Sequence, residues 1–257
     1  MVKYPSRIVC LTEESVETLF LLGEGHRIVG VSNYVVRPPE ALELPKVSMF
    51  TSSSYNKIEA LNPDLILGFS DIQSDIAKDL IKRGHNVFIS NHRSLNEILN
   101  YILLLSSMVD AKKKGEELII SLEKKLEHTK GFIKKEIKVY FEEWDEPMIS
   151  AIRWVSDLIT HLGADDIFRT KSFGGLAKDR FVSSEKVIEE NPDIIFGCWC
   201  GKKVRIDQIK NRAGWNKINA VKNDLVFELD PSVFLQPGPA PIISGLDLMS
   251  KALFKAI

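Results

Sequence analysis

Apolar residues fall along this chain in two alternating kinds of run. Residues 8–11, "RIVGVS", "LILGF" and "NVFIS" are short and almost continuously apolar, the pattern of strands covered on both faces. Between them, "SVETLFLLGEG", "YNKIEAL" and "DIQSDIAKDLIKRG" repeat apolar residues at helical spacing. Gly23 and Gly25 stop the first of these helices, and Asn62-Pro63 stops the second. Strand and helix in alternation predict a mainly parallel α/β unit. The second half repeats the order, with strand "IKVYFEE", a helix around "AIRWVSDLITHLG", helix "SSEKVIEE", a strand after Asn191-Pro192, strand "LVFEL" and a last helix from about Gly245.

Two nonapeptides make the duplication explicit: "NPDLILGFS" at residues 62–70 returns as "NPDIIFGCW" at residues 191–199. The segment between the halves has a different character. Ser94 and Glu97 form a capping box, and Leu95, Ile98, Leu99, Ile102 and Leu105 continue at helical spacing into "GEELIISLEKKLEH". An unbroken helix of about 35 residues would span about 50 Å. The expected organisation is an N-terminal α/β lobe over residues 1–93, a long linking helix over 94–130 and a C-terminal α/β lobe over 131–257.

Composition narrows the function classes. With 34 basic and 35 acidic side chains the net charge is −1, which gives nucleic acid or anionic lipid no global field to follow. Three cysteines in 257 residues make no disulfide framework. No apolar run has the length of a membrane helix. The stretch "IVCL" is too short for a signal-peptide core, so the chain is expected to be cytoplasmic if Met1 is the native start, and periplasmic or otherwise extracytoplasmic if a leader has been removed.

Several segments carry a family resemblance across nearly the whole chain: "RIVCL", "LFLLGEGHRIVGVSNY" with "PP" after it, "KIEALNPDLIL", "LITHLGADDIF" and "VSSEKVIEENPDIIF". In this order, around a central helix, they resemble the substrate-binding proteins of cobalamin, haem and siderophore ABC transporters. The resemblance implies two similar α/β lobes joined by one long helix, with a ligand cleft between the lobes. It implies a small-molecule ligand, a corrinoid first and haem or a ferric siderophore next, held without a covalent cofactor. It also implies a monomer that docks on an ABC permease through one surface glutamate per lobe. Glu185 matches that position in the second lobe, whereas Asn56 stands at its counterpart in the first.

Ligands of parallel α/β sheets meet the loops beyond the carboxyl ends of the strands. Tyr34, Phe50, Phe69, Trp144, Trp199 and Phe234 fall in such loops and could wall a planar or macrocyclic ligand, or pack in the core. Arg37, Asp71, Gln73, Glu143, Arg153, Lys202 and Gln236 are the polar candidates for orienting it. In "EEWDEP", strand alternation sends Glu143 and Asp145 to one face and Glu142 and Glu146 to the other. These acids could receive a cationic ligand, pair with Arg153, Lys178 or Arg180, or form a solvated turn. As paired carboxylates, Glu143 and Asp145 also leave open a cytoplasmic enzyme or metabolite sensor on the same scaffold.

Other chemistry finds little support. The five histidines have no metal-ligand spacing, with only His92 falling at a strand end, and Cys198 and Cys200 supply two ligands where a tetrahedral site needs four. "GEGHRIVG" and "GCWCGKK" miss the spacings of dinucleotide and P-loop motifs. No catalytic motif is recognised, and a non-catalytic binding protein is expected.

Overall fold

The computed structural model describes residues 3–257, which divide into two compact units. The first holds residues 3–92 with Asn96–Glu123; the second holds Arg93–Leu95 with Lys124–Ile257.

In the first unit the strands β1 (Ile8–Cys10), β2 (Ile28–Ser32), β3 (Lys46–Met49), β4 (Ser52–Ser53), β5 (Leu65–Phe69) and β6 (Val87–Ser90) form one sheet in the order β4-β3-β2-β1-β5-β6. All pairings are parallel except β3 with β4. The continuous apolar blocks are explained by the split of their side chains. Ile8, Cys10, Leu65 and Leu67 enter one buried cluster, and Val9, Leu11 and Ile66 enter another on the opposite face. Helices α1 (Glu13–Leu21), α2 (Tyr55–Ala60) and α3 (Ser74–Lys82) connect the strands.

The segment expected as one long helix is two, α4 (Leu95–Met108) and α5 (Lys112–Thr129). Asp110 adopts a left-handed φ of 62°, and the Ala111 N–H donates back to the Ser106 carbonyl at 2.8 Å. The helix is interrupted there, and at the start of α5 Gly115 lies so close to the end of α4 that a Cβ there would sit 2.1 Å from Ser106 Oγ. A glycine that the helical pattern runs straight through is in fact a close approach of two backbones.

The second unit is built on β7 (Lys138–Asp145), β8 (Met148–Ser150), β9 (Asp165–Asp166), β10 (Ile194–Gly197) and β11 (Val226–Glu228), in the order β11-β10-β7-β8 with β9 also on β7. Only β8 runs antiparallel, as a hairpin with β7. Helices α6 (Arg153–His161), α7 (Ser184–Glu190), α8 (Ile206–Lys210), α9 (Asn219–Lys222), α10 (Pro231–Phe234) and α11 (Leu246–Leu253) complete it. Tyr140, Ile195, Trp199, Ile209 and Trp215 are at the centre of its core.

The repeated Asn-Pro-Asp has the same structural task in both units. Asn62 and Asn191 take left-handed φ values of 45° and 50°, a conformation asparagine tolerates, and turn the chain out of α2 and α7. Two residues later the carboxylate ties down the start of the neighbouring strand. Asp64 accepts from the Ser6 and Arg7 amides at 2.8 and 2.9 Å, just before β1, and Asp193 accepts from the Lys138 amide at 3.0 Å, at the start of β7.

Candidate functional site

The carboxyl end of β7 carries the acidic cluster, and the structure gives three of its acids separate cations. A register irregularity between Glu142 and Trp144 breaks the simple alternation expected for "EEWDEP". Glu142 is wholly buried and receives the Arg212 guanidinium at 2.5 and 2.9 Å, the Tyr140 hydroxyl at 3.1 Å and the Trp199 indole N–H at 3.2 Å. Glu143 takes both terminal nitrogens of the buried Arg180, at 2.5 and 2.9 Å. Asp145 accepts from Lys202 at 2.5 Å. Pairing with Arg180 is one of the alternatives the sequence leaves open; Arg212 has no sequence signal, being 70 residues from its acid.

Lys202 gives this edge its character. Its ammonium lies 4.0 Å from the centre of the half-buried Trp144 ring and 4.9 Å from that of Trp199. Asp145 on one side and two indole faces on the other fix the cation by charge and quadrupole together. Trp199, expected as a ligand wall, is 1% exposed and packs in the core cluster, its ring edge committed to Glu142. Trp144 remains the half-open aromatic, its indole N–H on the Glu146 carbonyl at 3.0 Å.

The other second-unit candidates separate into core and surface. Phe234 is fully buried, and its carbonyl accepts from the Trp154 indole at 2.7 Å, so it builds core where a wall was expected. Gln236 is 7% exposed with its Oε1 unpaired. Arg153 binds Asp157 at 2.7 Å and lies 3.8 Å from the ring centre of the exposed Phe173, an aromatic that its position in the sequence does not single out. Glu185 is exposed in the first turn of α7. Cys198 is buried, which raises its thiol pKa, while Cys200 is exposed, so the two are not presented alike. Among the described residues no cluster of three or more histidine, cysteine or acidic side chains could hold a metal ion.

In the first unit Tyr34 is exposed, Phe50 half-buried and Asp71 exposed, all just beyond strand ends. Arg37 binds Glu17 at 3.1 Å. Phe69 is buried edge-on to His92, whose ring stacks on Tyr101 at 4.3 Å. Gln73 corrects another expectation. Its buried amide accepts from the Phe69 N–H at 2.9 Å and donates to the Phe50 carbonyl at 2.9 Å and the Leu11 carbonyl at 3.5 Å. Those bonds tie three strand ends together and leave the side chain little capacity for a ligand. Beside this strut, at the start of α1, Glu14 is 2% exposed, and its carboxyl accepts from the Thr12 hydroxyl at 2.5 Å. Burial, reinforced by the neighbouring Glu13, pushes its pKa up to about 8.

Comparison with known proteins places these edges in a family context. The sequence model described as periplasmic binding protein matches residues 8–233. An uncharacterized ABC transporter substrate-binding lipoprotein of Bacillus subtilis, YvrC, is 26% identical over 98% of this chain and 81% of its own length. A vitamin B12-binding protein of Vibrio cholerae is 26% identical over 91% of this chain and 84% of its own. Among solved structures, the periplasmic haem-binding protein RhuT of Roseiflexus has a TM-score of 0.83 at 22% identity, covering 98% of this chain and 99% of that one, a likeness of fold.

Proposed function

The chain belongs to the periplasmic binding protein family, and from that premise we propose that it is a substrate-binding protein of ABC-type transport whose ligand is a corrinoid. The observation that carries the reading is the second-unit edge: a half-open indole, Trp144, beside a lysine fixed by Asp145. A flat macrocycle with peripheral amides and a phosphodiester suits such an edge, since the indole face contributes contact area at little rotamer cost and the ammonium donates to oxygen. The vitamin B12-binding relative adds support from sequence. No covalent cofactor is part of the proposal; the corrinoid is cargo.

The competing reading, an enzyme or sensor using Glu143 and Asp145, has less in its favour. Glu143 gives both its oxygens to Arg180 and Asp145 gives Oδ1 to Lys202, so the two acids are held by separate cations and not set against each other as an acid–base pair. Within the transport reading, an extracytoplasmic location and an ABC permease partner go together, and exposed Glu185 is the residue offered to a basic group on that permease. Among the described residues no helix is long and apolar enough to cross a membrane.

Titration of the chain with cyanocobalamin, followed by tryptophan fluorescence and calorimetry, tests the proposal. Saturable one-to-one binding is expected, and Trp144→Ala should weaken it by about 1–3 kcal/mol. A chain that leaves cyanocobalamin unbound, or a Trp144→Ala variant with undiminished affinity, removes the reading.

A further inference from the structure

A second concave surface lies wholly within the first unit, at the sheet edge formed by β3 and β4. It is a groove of about 390 Å³ lined by Asn33, the β3 residues 46–49, Ser52–Ser53 of β4, Ser54 and Lys57. No acidic side chain contributes to the lining. Neither Lys46 nor Lys57 forms an ion pair among the described residues, in contrast to Lys202, Arg212 and Arg180 of the second unit. Glu43 acts on Lys46 only through its field, from outside the lining. Lys46 spends one N–H on the Ala41 carbonyl at 3.2 Å. The Ser53 hydroxyl is buried beneath the groove surface without a hydrogen-bond partner, while Ser52 is exposed at the groove.

We propose that this groove is a binding site for a phosphate group of a small molecule, held between the ammonium groups of Lys46 and Lys57 and hydrogen-bonded by the Ser52 and Ser54 hydroxyls. Two cations outside any ion pair match the charge of a phosphate dianion, and hydroxyl donors match its several acceptor oxygens. Met49 supplies an exposed apolar wall for whatever the phosphate is attached to. Burial depresses the Lys46 pKa, and an anion seated beside it would favour the charged form again. The site does not depend on the corrinoid reading: a chain indifferent to cyanocobalamin would still bind phosphate here, and a groove blind to phosphate leaves the corrinoid titration untouched.

The test is a titration of the full chain with sodium phosphate at pH 7.5 and constant ionic strength, read by amide chemical shifts, with sodium acetate in parallel. Saturable shifts confined to Asn33, residues 46–49 and residues 52–57 are expected with phosphate, and weaker ones with acetate. Lys57→Gln should weaken phosphate binding about fivefold, the effect of removing one close charge in a water-exposed site, while Lys82→Gln on α3 leaves it unchanged. Lys57 is exposed, so its substitution spares the fold; Lys46→Gln serves as the second variant wherever circular dichroism shows it folded. Shifts scattered over surface lysines, equal responses to acetate, or a Lys57→Gln variant with undiminished affinity would overturn the proposal.

Discussion

Replacing Glu14 by glutamine tests whether the start of α1 carries a buried, protonated acid. The side chain is 2% exposed, it accepts from the Thr12 hydroxyl, and Glu13 and Glu17 add negative charge nearby. Burial lifts its pKa from the ordinary 4.5 to about 8. Through that interval the folded chain keeps a proton that the unfolded chain has released, so the unfolded state gains with every step upward in pH. The stability advantage of the protonated acid is therefore complete below pH ~4.5 and drains away until pH ~8, above which it is constant. For one isolated group the full swing is on the order of 4–5 kcal/mol. Glutamine has the shape of the protonated acid and titrates nowhere in this range. Urea unfolding of both proteins at pH 5, 6.5 and 8 should find them similar at pH 5 and the variant more stable by at least about 2 kcal/mol at pH 8. Glu13, also raised by burial, keeps part of the pH slope in the variant. Parallel stability curves, or a variant weaker than the parent at pH 8, would show that Glu14 is ionised and paired in the fold.

Glu142→Gln leaves the Arg212 guanidinium facing an uncharged partner in a buried network and should cost about 3–5 kcal/mol in urea unfolding, with Glu142→Gln/Arg212→Gln recovering part of it. Gly115→Ala drives a Cβ to within 2.1 Å of Ser106 Oγ and should lower stability by about 1–3 kcal/mol, a loss that Ser106→Gly relieves; an unaffected single variant would mean that α4 and α5 are less closely packed than described.

How far an element is legible in the sequence depends on the range of the contacts that form it. The strands β1, β2, β5 and β10 are fully or largely buried apolar blocks, and their signal is local. The strands β4 and β9 are two-residue pieces, Ser52–Ser53 and Asp165–Asp166, whose pairing is decided by neighbours outside the piece itself. The break between α4 and α5 rests on one left-handed residue, Asp110, inside an otherwise helical pattern. Among the candidate side chains, position at a strand end is readable but direction is not. Gln73 and Phe234 occupy the expected loops yet turn inward, the first because three strand ends need its amide and the second because the core takes its ring.

The acidic cluster meets the same limit of range. As a string, "EEWDEP" is a surplus of negative charge awaiting a cation. In space Arg212, Arg180 and Lys202 arrive from segments 70, 37 and 57 residues away and pair with Glu142, Glu143 and Asp145. With these three acids paired, recognition of the proposed corrinoid rests less on charge at this edge than on the Trp144 face and on hydrogen bonds from Lys202 that Asp145 leaves available. The first unit presents the opposite case. In the β3–β4 groove Lys46 and Lys57 have no acid within ion-pair distance among the described residues, and the Ser53 hydroxyl has no partner. A surface that retains cations outside any ion pair gains more from an oxyanion than one already neutralised, so under the two proposals selection by charge would fall to the groove and selection by shape to the indole edge.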